Sequence, residues 1–182
     1  MIEKIEFYNT PDGSVCCKPE GKPMFVLDES CRKLIEEMVI TIKELYPDAF
    51  KALSEIYSTS ERNRAFYEYR IVHRFIRCNF GEYDALHTDI DAMGGFHLED
   101  VKCPMRGECV LEGCVCHPRL QSTLSPREQE VAELLGRGYD KLEVANELNI
   151  SVYTVSRHVA NIKARLKLRH TNQIVSYFKT HD

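Results

Sequence analysis

The sequence predicts a mainly α-helical protein in three parts. Residues 1–83 are expected to form an α-rich module with a small β-hairpin, residues 84–120 a cysteine-rich metal-binding knuckle and linker, and residues 121–182 a four-helix module. Three observations support this division. Apolar residues recur at helical spacing over most of the chain, four cysteines cluster between positions 103 and 116, and the C-terminal third carries helix-turn-helix start and stop signals.

The first C-terminal helix is marked at both ends. Ser125 is a candidate N-cap, Pro126 occupies the first helical position, and Glu128 is placed to close a capping box. Gly136 and Gly138 follow the last apolar residues and end the helix. A short second helix is predicted next, with one apolar face formed by Leu142, Ala145 and Leu148.

A turn and a third helix complete the helix-turn-helix pattern. Asn149 suits a left-handed backbone, and Ser151 can cap a helix from about Val152 to Leu166. Polar residues between the apolar positions of this helix, with some just outside it, suit base edges and phosphates of double-stranded DNA. The predicted DNA contacts are Lys141, Ser151, Tyr153, Thr154, Ser156, Arg157, Asn161, Lys163, Arg165 and Lys167.

The charge distribution supports the same interpretation. Leu148 to His181 contains no acidic residue and six basic ones, whereas the whole chain has a net charge of −4. A local basic stretch fits a phosphate-contacting surface. Arg157 and Asn161, one turn apart, are expected to reach base edges, and Lys163, Arg165 and Lys167 to contact phosphates. The alternative is a solvated basic helix in a packing module.

These residues resemble the LuxR/GerE-type helix-turn-helix of bacterial transcription regulators, over about Leu124 to Phe178. The resemblance implies that Glu128 pairs with a basic group in the core, and that the last helix, about Asn172 to Phe178, serves dimerisation. The chain departs from the family at Leu142, where lysine is common, and at two recognition-helix positions. The matching elements are Leu124-Ser-Pro-Arg-Glu128, Glu130-Val131, Gly138, Glu143, Ala145, Leu148, Ile150-Ser151, Thr154-Val155, His158, Leu166 and Arg169; the two departures are Ser156 and Ala160.

Composition narrows the class of protein. The 182-residue chain is 43% hydrophobic and 29% charged, which is typical of a globular protein. It has no apolar run long enough to span a membrane and no secretory signal, so a cytoplasmic protein without membrane association is expected. Eight cysteines in that compartment favour reduced thiols, metal binding or redox chemistry over disulfides.

The cysteine-rich segment is predicted to bind a metal. The predicted ligands are Cys103, Cys109, Cys114 and Cys116, with His117 in reserve, and tetrahedral zinc suits four thiolates. An iron–sulfur cluster and unligated or redox-active thiols are the alternatives. The segment holds few sizeable apolar side chains, so an ion is expected to supply its folding energy. The remaining cysteines, Cys16, Cys17, Cys31 and Cys78, are interpreted as ordinary thiols.

The N-terminal module is predicted as paired strands followed by helices. The strands are Lys4–Tyr8 and Pro23–Leu27, with a turn at Pro11-Asp-Gly13. The helices run from about Glu29 to Tyr46 with Asp28 as cap, from Pro47 to Tyr57, and from a Ser60 cap to about Cys78. The arginines of the last helix are interpreted as a solvated face. Asp89–Asp100 is interpreted as a polar loop rather than a calcium site. His73, His87 and His97 are scattered along the sequence without the spacing of a metal or catalytic site.

These patterns favour a transcription regulator over an enzyme. No catalytic motif and no receiver-domain pattern is found. The protein is expected to bind DNA as a homodimer through Ile174, Val175 and Phe178, with RNA polymerase as a further candidate partner. Two competing hypotheses remain. One is a metal- or redox-sensing switch whose cysteines control DNA binding, and the other is an interaction adaptor that has lost DNA affinity.

Overall fold

A computed structural model describes residues 4–81, 83, 88–92, 94–120 and 123–179, without the side chains of 176–179. The chain folds into two compact units. Ile2–Ala92 and Phe96–Leu120 form one unit, and Gln121–Asp182 belongs to the other. None of the helices in the described ranges is both long and apolar enough to cross a lipid bilayer.

A three-stranded antiparallel sheet opens the N-terminal unit. Strand β1 (Ile5–Asn9) pairs with β2 (Val15–Pro19), and β2 pairs with the two-residue strand β3 (Phe25–Val26). The Pro11–Gly13 turn therefore joins β1 to β2, and Gly13 adopts the left-handed backbone that this turn requires (φ 90°). The predicted pairing of the first strand with Pro23–Leu27 is wrong, because β2 lies between them.

Three helices follow the sheet: α1 (Arg32–Leu45), α2 (Pro47–Ile56) and α3 (Arg64–Asn79), with a short 3-10 turn at Ser58–Ser60. Helix α3 packs on β1 and β2, and α1 and α2 pack on α3 and on each other. Two predicted caps are wrong. Asp28 accepts hydrogen bonds from Ser30 within the preceding loop, and Asn63 caps α3 by accepting from the Phe66 N–H. The core of this unit is formed by buried apolar side chains, including Phe7, Leu27, Ile35, Met38, Ile42, Leu53, Ile71, Phe75 and Phe80.

The cysteine-rich segment is part of this unit rather than a separate knuckle. Val115 is 0% exposed and Leu111 is buried, both within the N-terminal core. The Asn79 side-chain amide donates to the Val115 carbonyl oxygen (2.9 Å), which fixes the segment to the end of α3. Packing on existing helices therefore supplies part of the energy that the sequence argument assigned to a metal alone.

The C-terminal unit is a four-helix array: α4 (Pro126–Gly136), α5 (Lys141–Glu147), α6 (Val152–Arg165) and α7 (Thr171–Lys179). The capping box of Ser125 and Glu128 is confirmed. A second capping box, which the sequence analysis missed, joins Asp140 and Glu143 at the start of α5. The core is formed by Val131, Ala132, Leu135, Val144, Ala145, Val155, Val159, Ile162 and Ile174.

A buried ion pair joins the first turn of α4 to the end of α6. Arg165 Nε lies 3.1 and 3.2 Å from the two carboxylate oxygens of Glu128, and these residues are 5% and 1% exposed. Glu128 also accepts the Ser125 N–H (2.8 Å), and Arg165 donates to the Thr123 carbonyl oxygen (2.9 Å). Glu128 thus has the basic partner that the family resemblance implied, and that partner is Arg165.

Removing one member of this pair is expected to unfold the C-terminal unit more readily. Arg165→Met should lower its free energy of unfolding by about 3–5 kcal/mol, because the Glu128 carboxylate would stay buried without its cation. The measurement is hydrogen exchange of α4 and α6 peptides in the full chain at increasing urea. The control Arg169→Met removes an exposed cation and should cost less than about 0.5 kcal/mol. Equal, small losses in both variants would contradict the structural role.

Candidate nucleic-acid interface and cysteine site

The turn between α5 and α6 has the geometry of a helix-turn-helix. Asn149 adopts a left-handed backbone (φ 53°), as predicted, and the Ile150 N–H donates to the Ala145 carbonyl oxygen (3.0 Å). Ser151 caps α6 by accepting the Thr154 N–H (3.0 Å), also as predicted. Arg127 on α4 donates to the Leu148 carbonyl oxygen (2.6 Å). The turn is therefore held by its own backbone and by the first helix.

One side of the N-terminal half of α6 is open to solvent. Val152 is exposed, and the four polar residues that follow it on this surface are partly exposed: Tyr153, Thr154, Ser156 and Arg157. Lys163 is partly exposed further along the helix, and Lys167 is exposed just beyond its end. At the start of α5, Lys141 is partly exposed beside the exposed side chain of Leu142. These side chains form one candidate surface for nucleic acid.

Two of the predicted DNA contacts lie inside the domain instead. Asn161 is 1% exposed, so its predicted place on the outer face of α6 is wrong. Arg165 is buried and ion-paired with Glu128, so its charge is not presented to phosphates. Both residues share the inner face of α6 with Ile162, which belongs to the core. The interface therefore contains fewer cations than the sequence indicates.

His158 is a buried titratable group on the same helix. Burial lowers its pKa below the usual value, and the neighbouring Arg157 charge acts in the same direction. Its Nδ1 atom is buried and has no hydrogen-bond partner among the described residues. The neutral imidazole is therefore the form that fits the folded domain.

The predicted dimerisation face is partly occupied by the domain's own core. Ile174 is 0% exposed and packs with the other helices, whereas Val175 is partly exposed. The Phe178 side chain lies outside the described residues. A surface for a second copy on α7 would therefore use Val175 rather than Ile174.

Three of the four predicted metal ligands lie around one cavity. Cys103, Cys109 and Cys116 line it, together with Met105, Arg106 and Glu112. The fourth, Cys114, faces elsewhere, because its thiol donates to the Asp48 carbonyl oxygen on α2 (3.6 Å). The structure therefore does not bring Cys114 to this cavity, and its role as a ligand stays a prediction.

Cys78, which the sequence analysis interpreted as an ordinary thiol, lies on the last turn of α3. Burial raises the pKa of this thiol to about 12, and the nearby Cys116 thiol acts in the same direction. No sequence signal indicates this proximity, because Cys78 stands 25 positions before Cys103 and only the packing of α3 brings it there.

A half-buried arginine adjoins these thiols. Arg74, one turn before Cys78 on α3, donates from Nη2 to the Cys109 sulfur (3.7 Å). Its Nε atom is buried and has no hydrogen-bond partner within the described chain. The reserve ligand His117 lies outside the group, with its Nε2 atom 3.2 Å from an Asp100 carboxylate oxygen.

Three acidic side chains also lie close together, and their hydrogen bonds to the backbone give them a structural role. Carboxylate oxygens of Glu6, Asp89 and Glu99 lie within 4.8 Å of one another. Asp89 accepts the backbone N–H of Phe7 (2.6 Å) and Glu99 accepts that of Gly81 (2.7 Å). These bonds tie the loop predicted at Asp89–Asp100 to β1 and to the residues that follow α3. Met93 of that loop and His87 lie outside the described residues.

Comparison with known proteins finds a family match within the C-terminal unit. Residues 122–178 match the family described as bacterial regulatory proteins, luxR family. The chain is also similar to the response regulator protein VraR of Staphylococcus aureus strains Mu3 / ATCC 700698 and NCTC 8325 / PS 47. The identity is 32% over 91 residues, which is 45% of this chain and 44% of each relative. The chain thus spans less than half the length of these relatives. No solved structure matches the chain.

The position of His158 predicts a pH dependence of stability. Because its pKa is lower in the folded domain than the usual value of about 6.5, the unfolded chain binds a proton first as the pH falls. The contribution of His158 to the free energy of unfolding should be constant above the usual pKa of about 6.5 and should decline as the pH falls below it. The thermal unfolding midpoint, followed by helical circular dichroism, should therefore fall between about pH 7 and pH 5.5. His158→Gln should lose this part of the decline, and an unchanged slope in that variant would contradict the assignment.

Proposed function

We propose that this chain, whose residues 122–178 form a LuxR-type helix-turn-helix domain, is a sequence-specific DNA-binding transcription regulator. The observation that carries the proposal is the solvent-facing N-terminal half of α6, held by a capped turn and by the buried pair of Glu128 and Arg165. A rigid helix with a polar outer face at its N-terminal end is what a major groove accepts.

Base contacts are assigned to the first two turns of α6. Recognition helices read bases mainly through residues near their N-terminal end. Tyr153, Ser156 and Arg157 lie on that part of the helix and are partly exposed. The guanidinium of Arg157 can bind the O6 and N7 atoms of guanine as a bidentate donor. Thr154 contributes less, because its hydroxyl is paired with that of Ser151 (2.8 Å).

Phosphate contacts are assigned to the lysines around this face. Lys141, Lys163 and Lys167 keep at least part of their side chains exposed, whereas Arg165 is neutralised by Glu128. Lysine contacts to phosphate raise affinity for any DNA sequence and make binding depend on salt. The proposal therefore separates a specific contact at Arg157 from general contacts at the lysines.

A homodimer on DNA is the proposed assembly. The similarity to luxR-family regulators favours it, and Val175 on α7 offers a partly exposed apolar side chain next to the buried Ile174. Two copies related by a two-fold axis would bind two half-sites separated by whole turns of the duplex. RNA polymerase is the further partner proposed for the DNA-bound form.

A second candidate function is control of DNA binding by a metal centre, either zinc or an iron–sulfur cluster. The arrangement of Cys103, Cys109 and Cys116 around one cavity, with Arg74 donating to the Cys109 sulfur, favours it. The last of these thiols stands nine positions before Ser125 in the sequence. Comparing DNA affinity with and without the metal distinguishes this switch from a purely structural centre.

Replacing Arg157 tests the base contact. Arg157→Ala should cost about 1–3 kcal/mol on the site selected from a random duplex library, and little on unrelated DNA. Lys167→Ala should weaken binding to the selected site and to unrelated DNA, and it should lower the slope of the logarithm of the binding constant against the logarithm of salt concentration by about 1. Arg62→Ala removes an exposed cation from the N-terminal unit and should change neither affinity. Equal losses on both DNAs for Arg157→Ala would reassign this residue to the phosphates.

A charge on α7 tests the homodimer. Val175→Glu should weaken cooperative binding to the full site by at least about tenfold, because burying a carboxylate in an apolar contact is costly. Gln173→Glu places the same charge on the same helix but keeps the side-chain oxygen that accepts from the Arg169 and His170 N–H groups. It should leave cooperativity unchanged. A footprint of one half-site with monomeric sedimentation on DNA would contradict the dimer.

A further inference from the structure

We propose that the outer face of the N-terminal sheet binds a small aromatic molecule that carries a negative charge. A cavity of about 410 Å³ opens on this face, lined by Tyr8, Lys18, Met24 and Tyr83. That volume lies within the range typical of sites for small organic ligands. All four residues belong to the N-terminal unit, so the site lies outside the helix-turn-helix domain.

The strand register places three of these side chains on one face of the sheet. Tyr8 on β1 pairs with Cys16 on β2, and Lys18 follows Cys16 by two residues. Val26 on β3 pairs with the same cysteine, and Met24 stands two positions before it. Because alternate residues of a strand share a face, Tyr8, Lys18 and Met24 lie together. The opposite face of β1 and β2 carries their core-forming residues.

Two tyrosine rings form adjoining walls of the cavity. The ring centroids of Tyr8 and Tyr83 lie 6.0 Å apart, and the planes of the two rings meet at 78°. A flat ligand that stacks on one of these rings meets the other edge-to-face, and aromatic groups favour both arrangements. The corner between the two rings is therefore shaped for an aromatic group.

Met24 completes the apolar part of the site. The Tyr8 hydroxyl donates to the Met24 sulfur (2.8 Å), which holds the thioether beside the rings. Thioethers pack favourably against aromatic groups. Met24 is 52% exposed and Tyr83 is 58% exposed. A bound ligand would remove part of this apolar surface from water, which favours binding.

Lys18 gives the cavity a preference for negative charge. It is the charged member of the four lining residues. Its Nζ atom donates to the Lys22 backbone carbonyl oxygen (2.5 Å), which positions the ammonium group. An ammonium group has three N–H donors, so it can also bind an acid group, and hydrogen bonds between opposite charges are the stronger kind. An aromatic ring joined to an acid group therefore suits both parts of the cavity.

Fluorescence titration of the full chain without DNA tests the proposal. The probes are anilinonaphthalene sulfonate, which is aromatic and anionic, and phenylnaphthylamine, which has the same rings without the charge. The sulfonate should bind saturably. Lys18→Gln should weaken its binding at least about tenfold and that of the uncharged probe less than about twofold, because only the charge-assisted hydrogen bond is lost. Equal affinity of wild type and Lys18→Gln for the sulfonate would overturn the proposal.

A matched variant separates this contact from general attraction between charges. Lys22→Gln removes an exposed cation from the turn between β2 and β3, outside the cavity lining, and keeps the backbone carbonyl that holds Lys18. It should change the affinity for the sulfonate by less than about twofold. Equal losses in Lys18→Gln and Lys22→Gln would overturn the site.

Hydroxyl-radical footprinting of the wild type locates the probe without any variant. Met24 and Met105 are 52% and 50% exposed, so they start from similar accessibility. Bound sulfonate should reduce oxidation of Met24 and leave that of Met105 unchanged, whereas equal protection of both would overturn the site. Protection of Met24 that rises with protein concentration in the absence of probe would assign this face to a second copy of the chain and also overturn it. Neither measurement involves DNA, so failure of this site is distinguishable from failure of the proposed function.

Discussion

The buried pair of Glu128 and Arg165 is the constraint on which the C-terminal unit depends. One carboxylate closes the N-terminal turn of α4 and also binds the last turn of α6, so two helices far apart in sequence share a single fixed point. The partners are buried, and satisfying both charges allows only one arrangement of the helices. The orientation of the recognition helix therefore follows from a polar contact as well as from apolar packing. The inner face of this helix packs within the unit, and its partly exposed outer face carries the proposed DNA contacts.

The structure explains which features could be predicted from sequence. Caps and left-handed turns are local, so Ser125, Asn149 and Ser151 were identified correctly. The family resemblance correctly implied a basic partner for Glu128, but helical spacing alone placed Asn161 and Arg165 on the wrong face. Polar residues are normally assigned to solvent, and only tertiary contacts reveal an inner polar residue. The sequence analysis also missed β2, because this short segment has adjacent cysteines and no clear alternation of apolar and polar residues.

In the cysteine-rich segment, too, the sequence pattern indicated local features and did not reveal long-range contacts. Its four closely spaced cysteines indicated a self-contained metal knuckle, yet Leu111 and Val115 pack into the core of the N-terminal unit. These contacts help to order the segment, so a metal need not supply all of its folding energy. The thiols of Cys103, Cys109 and Cys116 line one cavity.

The most direct test of the central claim is hydroxyl-radical footprinting of the side chains with and without bound DNA. Tyr153 on α6 and Leu142 on α5 should be protected by DNA, because both lie on the proposed interface. The exposed Phe66 on α3 should be labelled equally in both states. Protection of α3 with unchanged labelling of Tyr153 would contradict the account, since DNA would then bind the arginine-rich helix rather than the recognition helix.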